Sequence, residues 1–435
     1  MEYLGINQKI YELENKIEAK ISKQFKQIDK TTRNNQFKVL SAFRNNKVSE
    51  NHFNGSTGYG YSDRGREVLD SVFADIVGAD DALVRHNFVS GTHALTVALF
   101  GILRPKDCLL SVTGKPYDTL DEVIGIRESD GSLKEFKIEY KQVDFKDNKI
   151  DFEGIKNNLK ENVKVVFIQR SKGYSNRPSL SVAEIGEIAL FVKKIKKDVC
   201  IMVDNCYGEF VEEYEPTQVG ADLIVGSLIK NVGGGMAQTG GYIAGGKDLV
   251  EKCAFRLTSP GIGKEVGATL NQNRDMFKGL FLAPHIVSQA LKTAVFASQL
   301  FTDLGYKVNP KPNDFRTDIV QAIELGKKEM LLAFCKGIQK GAPVDSFVTP
   351  EAWNMPGYDD KVVMAAGTFI QGASIELSAD APLKEPYSVY FQGGLTYESG
   401  KAGILFALDE LMRNGYCNFK WYMLIYFGGQ MYEFI

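Results

Sequence analysis

The chain has 435 residues, 44% of them hydrophobic and 24% charged, with a formal net charge of −2. Such values belong to an ordinary globular protein of two to three domains, one of them large. They leave no electrostatic case for a nucleic acid or an anionic membrane as partner.

Residues 1–50 read as an N-terminal helical segment. Helical periodicity with many Lys and Glu runs over 10–43 and suggests two amphipathic helices on the outside of the body. The opening "MEYLGINQKIYELENK" has no signal-peptide core, and no apolar run approaches a membrane span, so a cytoplasmic protein is expected. Next comes "NHFNGSTGYGYSDRGR" (51–66), a loop rich in Gly, Tyr and Arg that opens into a helix near 67–79. Apolar strands and amphipathic helices then alternate. "ALVRHNFV", "DCLLSVTG", "VKVVFIQRS", "VCIMVDN" and "ADLIVGSLIK" read as strands, with helices at "SGTHALTVALFGIL" and "SVAEIGEIALFVKKIKK". A hairpin-like insert is expected at "IRESDGSLKEFKIEYKQVDF", and "GGYIAGG" reads as a return strand. The fold class is therefore α/β, with a mostly parallel sheet buried on both faces. This large domain covers 51–285, and a long helical stretch near 263–303 leads out of it. Residues 286–416 form a smaller α/β domain, with strands at "DIVQAIEL", "KVVMAAGTF" and "SIELSAD". The aromatic tail 417–435 is unassigned and is expected to dock on the body.

The six cysteines form no CxxC pair and the four histidines are scattered, so reduced thiols and no metal site are expected. Chemistry is sought instead at strand ends, where open α/β sheets bind ligands. "SGTHAL" turns a strand into a helix, so Ser90, Gly91 and Thr92 suit a phosphate at a helix N-terminus, or are a simple cap. Tyr117 in "GKPYDTL" is a stacking plate or a core tyrosine. Asp204 in "VDNCYGEF" is a cap, a metal ligand or the partner of a cation. Lys230 in "GSLIKNVGGG" is a surface lysine or a nucleophilic amine whose pKa is lowered by desolvation, with Ser227 three residues before it. Together these groups match the needs of pyridoxal 5′-phosphate. The lysine holds the aldehyde as a covalent imine, the aspartate keeps the pyridine nitrogen protonated, and the ring becomes an electron sink.

The order SGT…PYDT…VDNCYGEF…GSLIKNVGGG resembles the fold-type-I pyridoxal-phosphate enzymes of cysteine and methionine metabolism. The branch resembled is the aluminium-resistance, methionine γ-lyase-like one, on "GYGYSDRGR", "SLIKNVGGGMAQTGGYIAG", "GLFLAPHIV" and "QGASIELSADAPLKEPYSVYFQGGLTYESGKAGIL". The resemblance runs from about residue 10 to about residue 411. It implies a transferase-type fold with a seven-stranded sheet between helices, plus a C-terminal α/β domain. It makes Lys230 and Tyr117 catalytic. Ser90, Gly91, Thr92, Tyr117, Asp204, Ser227 and Lys230 become cofactor-binding residues, with no metal. Tyr61 and either Arg64 or Arg66 (Arg66 being the one assigned) would reach a neighbouring subunit's site, so a dimer with shared sites, assembled as a tetramer, is implied. The reaction implied is a carbon–sulfur elimination from a small amino-acid substrate, with Lys230 as general base at Cα. The chain departs from that pattern twice. Glu376 in "IELS" stands where the lyases carry a carboxylate-gripping arginine, leaving Arg170, Arg177, Arg274 and Lys384 as replacements. "QRSKGYSNRP" also replaces a short Ser/Thr–Asn–Pro loop. These departures motivate two alternatives: another pyridoxal-phosphate reaction, such as an aminotransferase or aldolase, or a non-catalytic protein linked to metal tolerance.

Overall fold

The computed structural model describes residues 4–175 and 177–417. The expectation that the aromatic tail docks on the body falls, beyond Cys417, outside the described residues. Two compact units are present: Lys30–Val287 with Pro356–Tyr358, and the remaining described residues.

The first unit holds a seven-stranded sheet. Its strands are β1 (Asp81–Arg85), β2 (Cys108–Ser111), β3 (Glu139–Gln142), β4 (Val163–Gln169), β5 (Cys200–Asp204), β6 (Leu223–Ser227) and β7 (Gly241–Gly245), in the order β1-β7-β6-β5-β4-β2-β3. The run from β3 to β6 is parallel, while β7 pairs antiparallel with both β6 and β1. Both β5 and β6 are buried at every position, as continuous apolar runs between helices should be. The helix Gly91–Ile102 packs on β6 and β7. Its residues Ala94, Leu95, Ala98 and Leu99 join Met202, Val225 and Ile243 in one core cluster.

Several details differ from the expectations. Residues 10–43 belong to a single 38-residue helix, Gln8–Asn45, because no Gly or Pro interrupts the run. The hairpin-like insert is absent. Glu139–Gln142 pairs in parallel with β2 instead, since residues 126–138 before it run as turns and irregular backbone and offer no strand. Strand β6 stops at Ser227, so Lys230 does not end it. Leu228–Val232 is a single π-type turn in which Lys230 is non-helical at φ −106°, ψ −139°. By length and composition one helix among the described residues, Asn273–Asp303, could cross a membrane, contrary to the expectation. However, 67% of its apolar window is buried inside the protein.

The second unit has a five-stranded antiparallel sheet, in the order β10-β11-β12-β9-β8. Its strands are β8 (Lys307–Asn309), β9 (Gln321–Glu324), β10 (Val362–Ala366), β11 (Ser378–Pro382) and β12 (Ser388–Gln392). Helices Lys328–Gly341 and Tyr397–Arg413 pack together. Ile10, Leu13, Ile17 and Ile21 enter the same core at three- and four-residue spacing. "SIELSAD" becomes a strand only from Ser378, because Glu376 turns back and accepts from Phe369 N (2.7 Å) and Ile370 N (3.0 Å).

Candidate active site

The carboxyl ends of β1, β2, β5 and β6 deliver the residues singled out above. Adjacent parallel pairing, with Asp204 opposite Val225, puts the ends of β5 and β6 side by side. Helix Gly91–Ile102 starts on the same edge. A methyl group at Gly91 would stand 3.2 Å from Ser227 Cβ and 3.5 Å from Cys206 Sγ, so glycine lets the helix start lie close against the end of β6. Ser90 is the N-cap, with Oγ accepting from His93 N at 3.1 Å. In that first turn the N–H groups of Gly91 and Thr92 have no carbonyl to bind within the helix. Thr92 Oγ1 lies 2.8 Å from Thr119 Oγ1, which ties the helix start to the segment after Tyr117.

Asp204 is buried, and one of its oxygens accepts from Cys206 N at 3.1 Å. Burial raises its pKa, and the Lys230 charge acts in the opposite sense. Lys230 is half-buried, with its Nζ 4.0 Å from the centre of the Tyr207 ring. Its pKa lies above the ordinary value, not below it. Burial does disfavour the ammonium, but Cys206, Tyr207 and Asp204 together outweigh burial. The lowered pKa expected from desolvation alone is thus corrected: acidic groups surround this lysine and oppose the effect of burial.

The glycines after Lys230 serve the backbone. A methyl group on Gly233 would lie 1.8 Å from Leu228 O, and one on Gly234 (φ +51°) 2.4 Å from Gly279 O in the helix Asn273–Asp303. The turn carrying Lys230 is therefore folded tightly on itself and on that helix.

A buried network missed in the sequence lies behind the turn. Tyr242 on β7 donates its hydroxyl to Glu209 Oε1 at 2.6 Å, and Asn231 Nδ2 donates to the Glu209 carbonyl at 3.0 Å. Burial pushes the Glu209 carboxyl up to about 8. Its Oε2 is buried with no hydrogen-bond partner among the described residues, as suits a neutral acid. The only sequence signal was an acid inside a Gly- and aromatic-rich strand end.

The candidate replacement cations are mostly committed elsewhere. Arg170 is fully buried, with Nη1 on Asn205 Oδ1 and Nη2 on Glu212 Oε1, both at 2.8 Å, and it braces the loop after β5. Arg177 donates to the carbonyls of Pro178, Gln169 and Ser171. Arg274 lies over the Phe53 ring at 5.2 Å, and Lys384 pairs with Asp360 at 3.4 Å. Arg316, not singled out before, is buried with Nε and Nη1 lacking a partner among the described residues.

In the Tyr/Arg loop, the structure separates the two arginines. Arg66 is 1% exposed and donates to the carbonyls of Gly60, Gly267 and Glu265. It holds the loop to its own unit, which corrects its assignment as the outward-reaching residue. Arg64 is exposed, as are Tyr59 (76%) and Tyr61 (63%).

Comparison with known proteins gives a consistent picture. The chain is 53% identical over 400 residues to Bacillus subtilis YnbB, covering 91% of this chain and 95% of that one. A carbon–sulfur lyase involved in aluminium resistance from Clostridium novyi NT superposes with a TM-score of 0.91 at 52% identity, covering 94% and 97% of the two chains. The pyridoxal-5′-phosphate-dependent protein YhfS of Escherichia coli shares only the fold, with a TM-score of 0.61 at 15% identity, covering 89% and 97%. The methionine γ-lyase family model matches residues 10–412. The strand-end site, the two-unit fold and this match together make the chain a member of the methionine γ-lyase family.

Proposed function

We propose that the protein is a pyridoxal-5′-phosphate-dependent carbon–sulfur lyase that eliminates a thiol from the Cβ or Cγ of a sulfur amino acid. The observation that carries this reading is the convergence of Gly91, Ser227, Asp204 and Lys230 on one edge of the sheet. These residues fit the cofactor. The glycine-lined space at Gly91 would take the phosphate between first-turn N–H groups and the Ser227 hydroxyl. The buried Asp204 carboxylate, already beside a cation, suits a protonated ring nitrogen, and Tyr117 would stack on the ring. Bound there, the cofactor supplies an electron sink for negative charge at the substrate Cα.

The chain's own residues then handle protons. Lys230 Nζ, a neutral amine once the substrate's amino group has taken its place, would accept the Cα proton, and the Tyr207 ring 4.0 Å away holds it in place. Tyr117 Oη can hand a proton to the departing sulfur. Glu376 does not argue for another reaction, because its carboxylate is occupied by two backbone N–H groups. The exposure of Tyr61 and Arg64 supports a loop that enters a neighbouring subunit's site, in a dimer assembled further into a tetramer. Six free thiols accord with a cytoplasmic location.

The test is to load the protein with the cofactor and supply L-cystathionine, L-cysteine and L-methionine in turn, measuring ketoacid and thiol. Turnover of one of them, with loss of the protein-bound visible band in Lys230→Ala, is expected. A parent protein that forms no such band, or that binds the cofactor yet releases no thiol, refutes the reading.

A further inference from the structure

Three tyrosines from distant parts of the chain meet at Tyr117. Tyr174 comes from the loop 171–178 that departs from the related pattern. Tyr358 comes from the late segment Pro356–Tyr358, which is counted with the unit Lys30–Val287 although it lies some 70 residues beyond Val287 in sequence. Tyr174 and Tyr358 both set their rings edge-on to Tyr117, at 5.7 Å and 65° and at 5.9 Å and 84°, and they lie 5.8 Å from each other. The Oη atoms of Tyr117 and Tyr358 are 2.7 Å apart, a normal O–H···O distance.

Both segments approach through glycines. Gly173 has φ +57°, and a methyl group there would lie 3.1 Å from Tyr117 Cδ2. Gly357 has φ +87°, and a methyl group there would lie 3.4 Å from Thr119 Cα. Thr119 in turn bonds Thr92 at the start of the helix. The tip 356–358 therefore sits on the segment 117–119, which carries the proposed stacking ring and braces the proposed phosphate cradle.

A phenol has one proton to donate and lone pairs to accept with. In a phenol–phenol pair one oxygen donates and the other accepts, so the partner selects where the other hydroxyl points. We propose that Tyr358 is a positioning residue for Tyr117: its hydroxyl fixes the Tyr117 Oη, and its ring and that of Tyr174 hold the Tyr117 ring plane. This rests on the reading of Tyr117 as a catalytic residue of the lyase. It accounts for Tyr174 of the altered stretch "QRSKGYSNRP" as one wall of that arrangement.

The test uses the cofactor-loaded parent, Tyr358→Phe, Tyr117→Phe and the double variant, with L-cystathionine and L-methionine as probes. Phenylalanine keeps the ring contacts and removes only the hydroxyl. Tyr358→Phe is expected to lower kcat by about five- to tenfold, the worth of roughly one net hydrogen bond, with KM and cofactor affinity unchanged and the melting temperature lowered by no more than about 4 °C. The double variant is expected to be no slower than Tyr117→Phe, because the two hydroxyls act as one unit. An unchanged kcat in Tyr358→Phe overturns the proposal. So does a loss matched by weaker cofactor binding or by a melting temperature lowered well beyond about 4 °C, and so do additive losses. A parent with no visible cofactor band would instead overturn the underlying reading, so the two failures are distinguishable.

Discussion

Replacing Glu209 by glutamine probes the buried network behind Lys230. The Glu209 carboxyl is pushed up to about 8 in the folded protein, against an ordinary 4.5, because burial, helped by Glu215, outweighs the lowering by the Tyr242 hydrogen bond and the Lys230 charge. The unfolded chain therefore gives up this proton first. The contribution to stability is full below about pH 4.5 and is lost as pH rises towards about 8. Over pH 5 to 9 the difference integrates to about 4 kcal/mol at 1.36 kcal/mol per unit. Glutamine keeps an oxygen for the Tyr242 hydroxyl and carries no titrating proton. Glu209→Gln should match the parent near pH 5 and exceed it in stability at pH 9. At about 2–4 °C per kcal/mol for a unit of this size, the gap in melting temperature should open by roughly 8–16 °C. Thermal unfolding of both proteins, followed by circular dichroism across that range, measures it. Parallel melting curves at every pH would refute the neutral-acid assignment. So would a variant much weaker than the parent at pH 5, since an anionic Glu209 would then be required.

Gly91→Ala gains up to about 1 kcal/mol of helix propensity, offset by the contact at 3.2 Å with Ser227, so its melting temperature should stay near the parent's. Its cofactor affinity, by fluorescence titration, should fall at least about tenfold as the methyl group enters the cradle, and unchanged affinity would remove Gly91 from the site. Arg66→Ala leaves the carbonyls of Gly60, Gly267 and Glu265 without their donor and should cost at least about 3 kcal/mol in urea unfolding. Arg64→Ala should change stability by no more than about 0.5 kcal/mol, while turnover falls if that residue completes a neighbouring subunit's site. Glu376→Ala removes the acceptor for Phe369 N and Ile370 N and should lower stability by about 1–3 kcal/mol, whereas Glu376→Gln keeps one acceptor and loses less.

Local pattern was enough to establish the α/β class, the strands β4 to β7 and the helix after Ser90. Strand runs such as "VCIMVD" are apolar throughout because both faces of the sheet are covered, and a serine before an apolar helical run is a favoured cap. The same pattern put Asp204, Ser227 and Lys230 on the edge proposed to bind ligand, because the carboxyl ends of parallel strands share one edge. What the chain could not state in one dimension was who faces whom. The direction of the Lys230 pKa shift depends on Asp204, Cys206 and Tyr207 around it. Arg64 and Arg66 differ only in which side of a helix start they occupy, and burial chose between them. The Tyr242–Glu209 and Tyr117–Tyr358 pairs join residues 33 and 241 positions apart. A hydrogen bond across such a separation is made by packing, and neither periodicity nor spacing carries any trace of it.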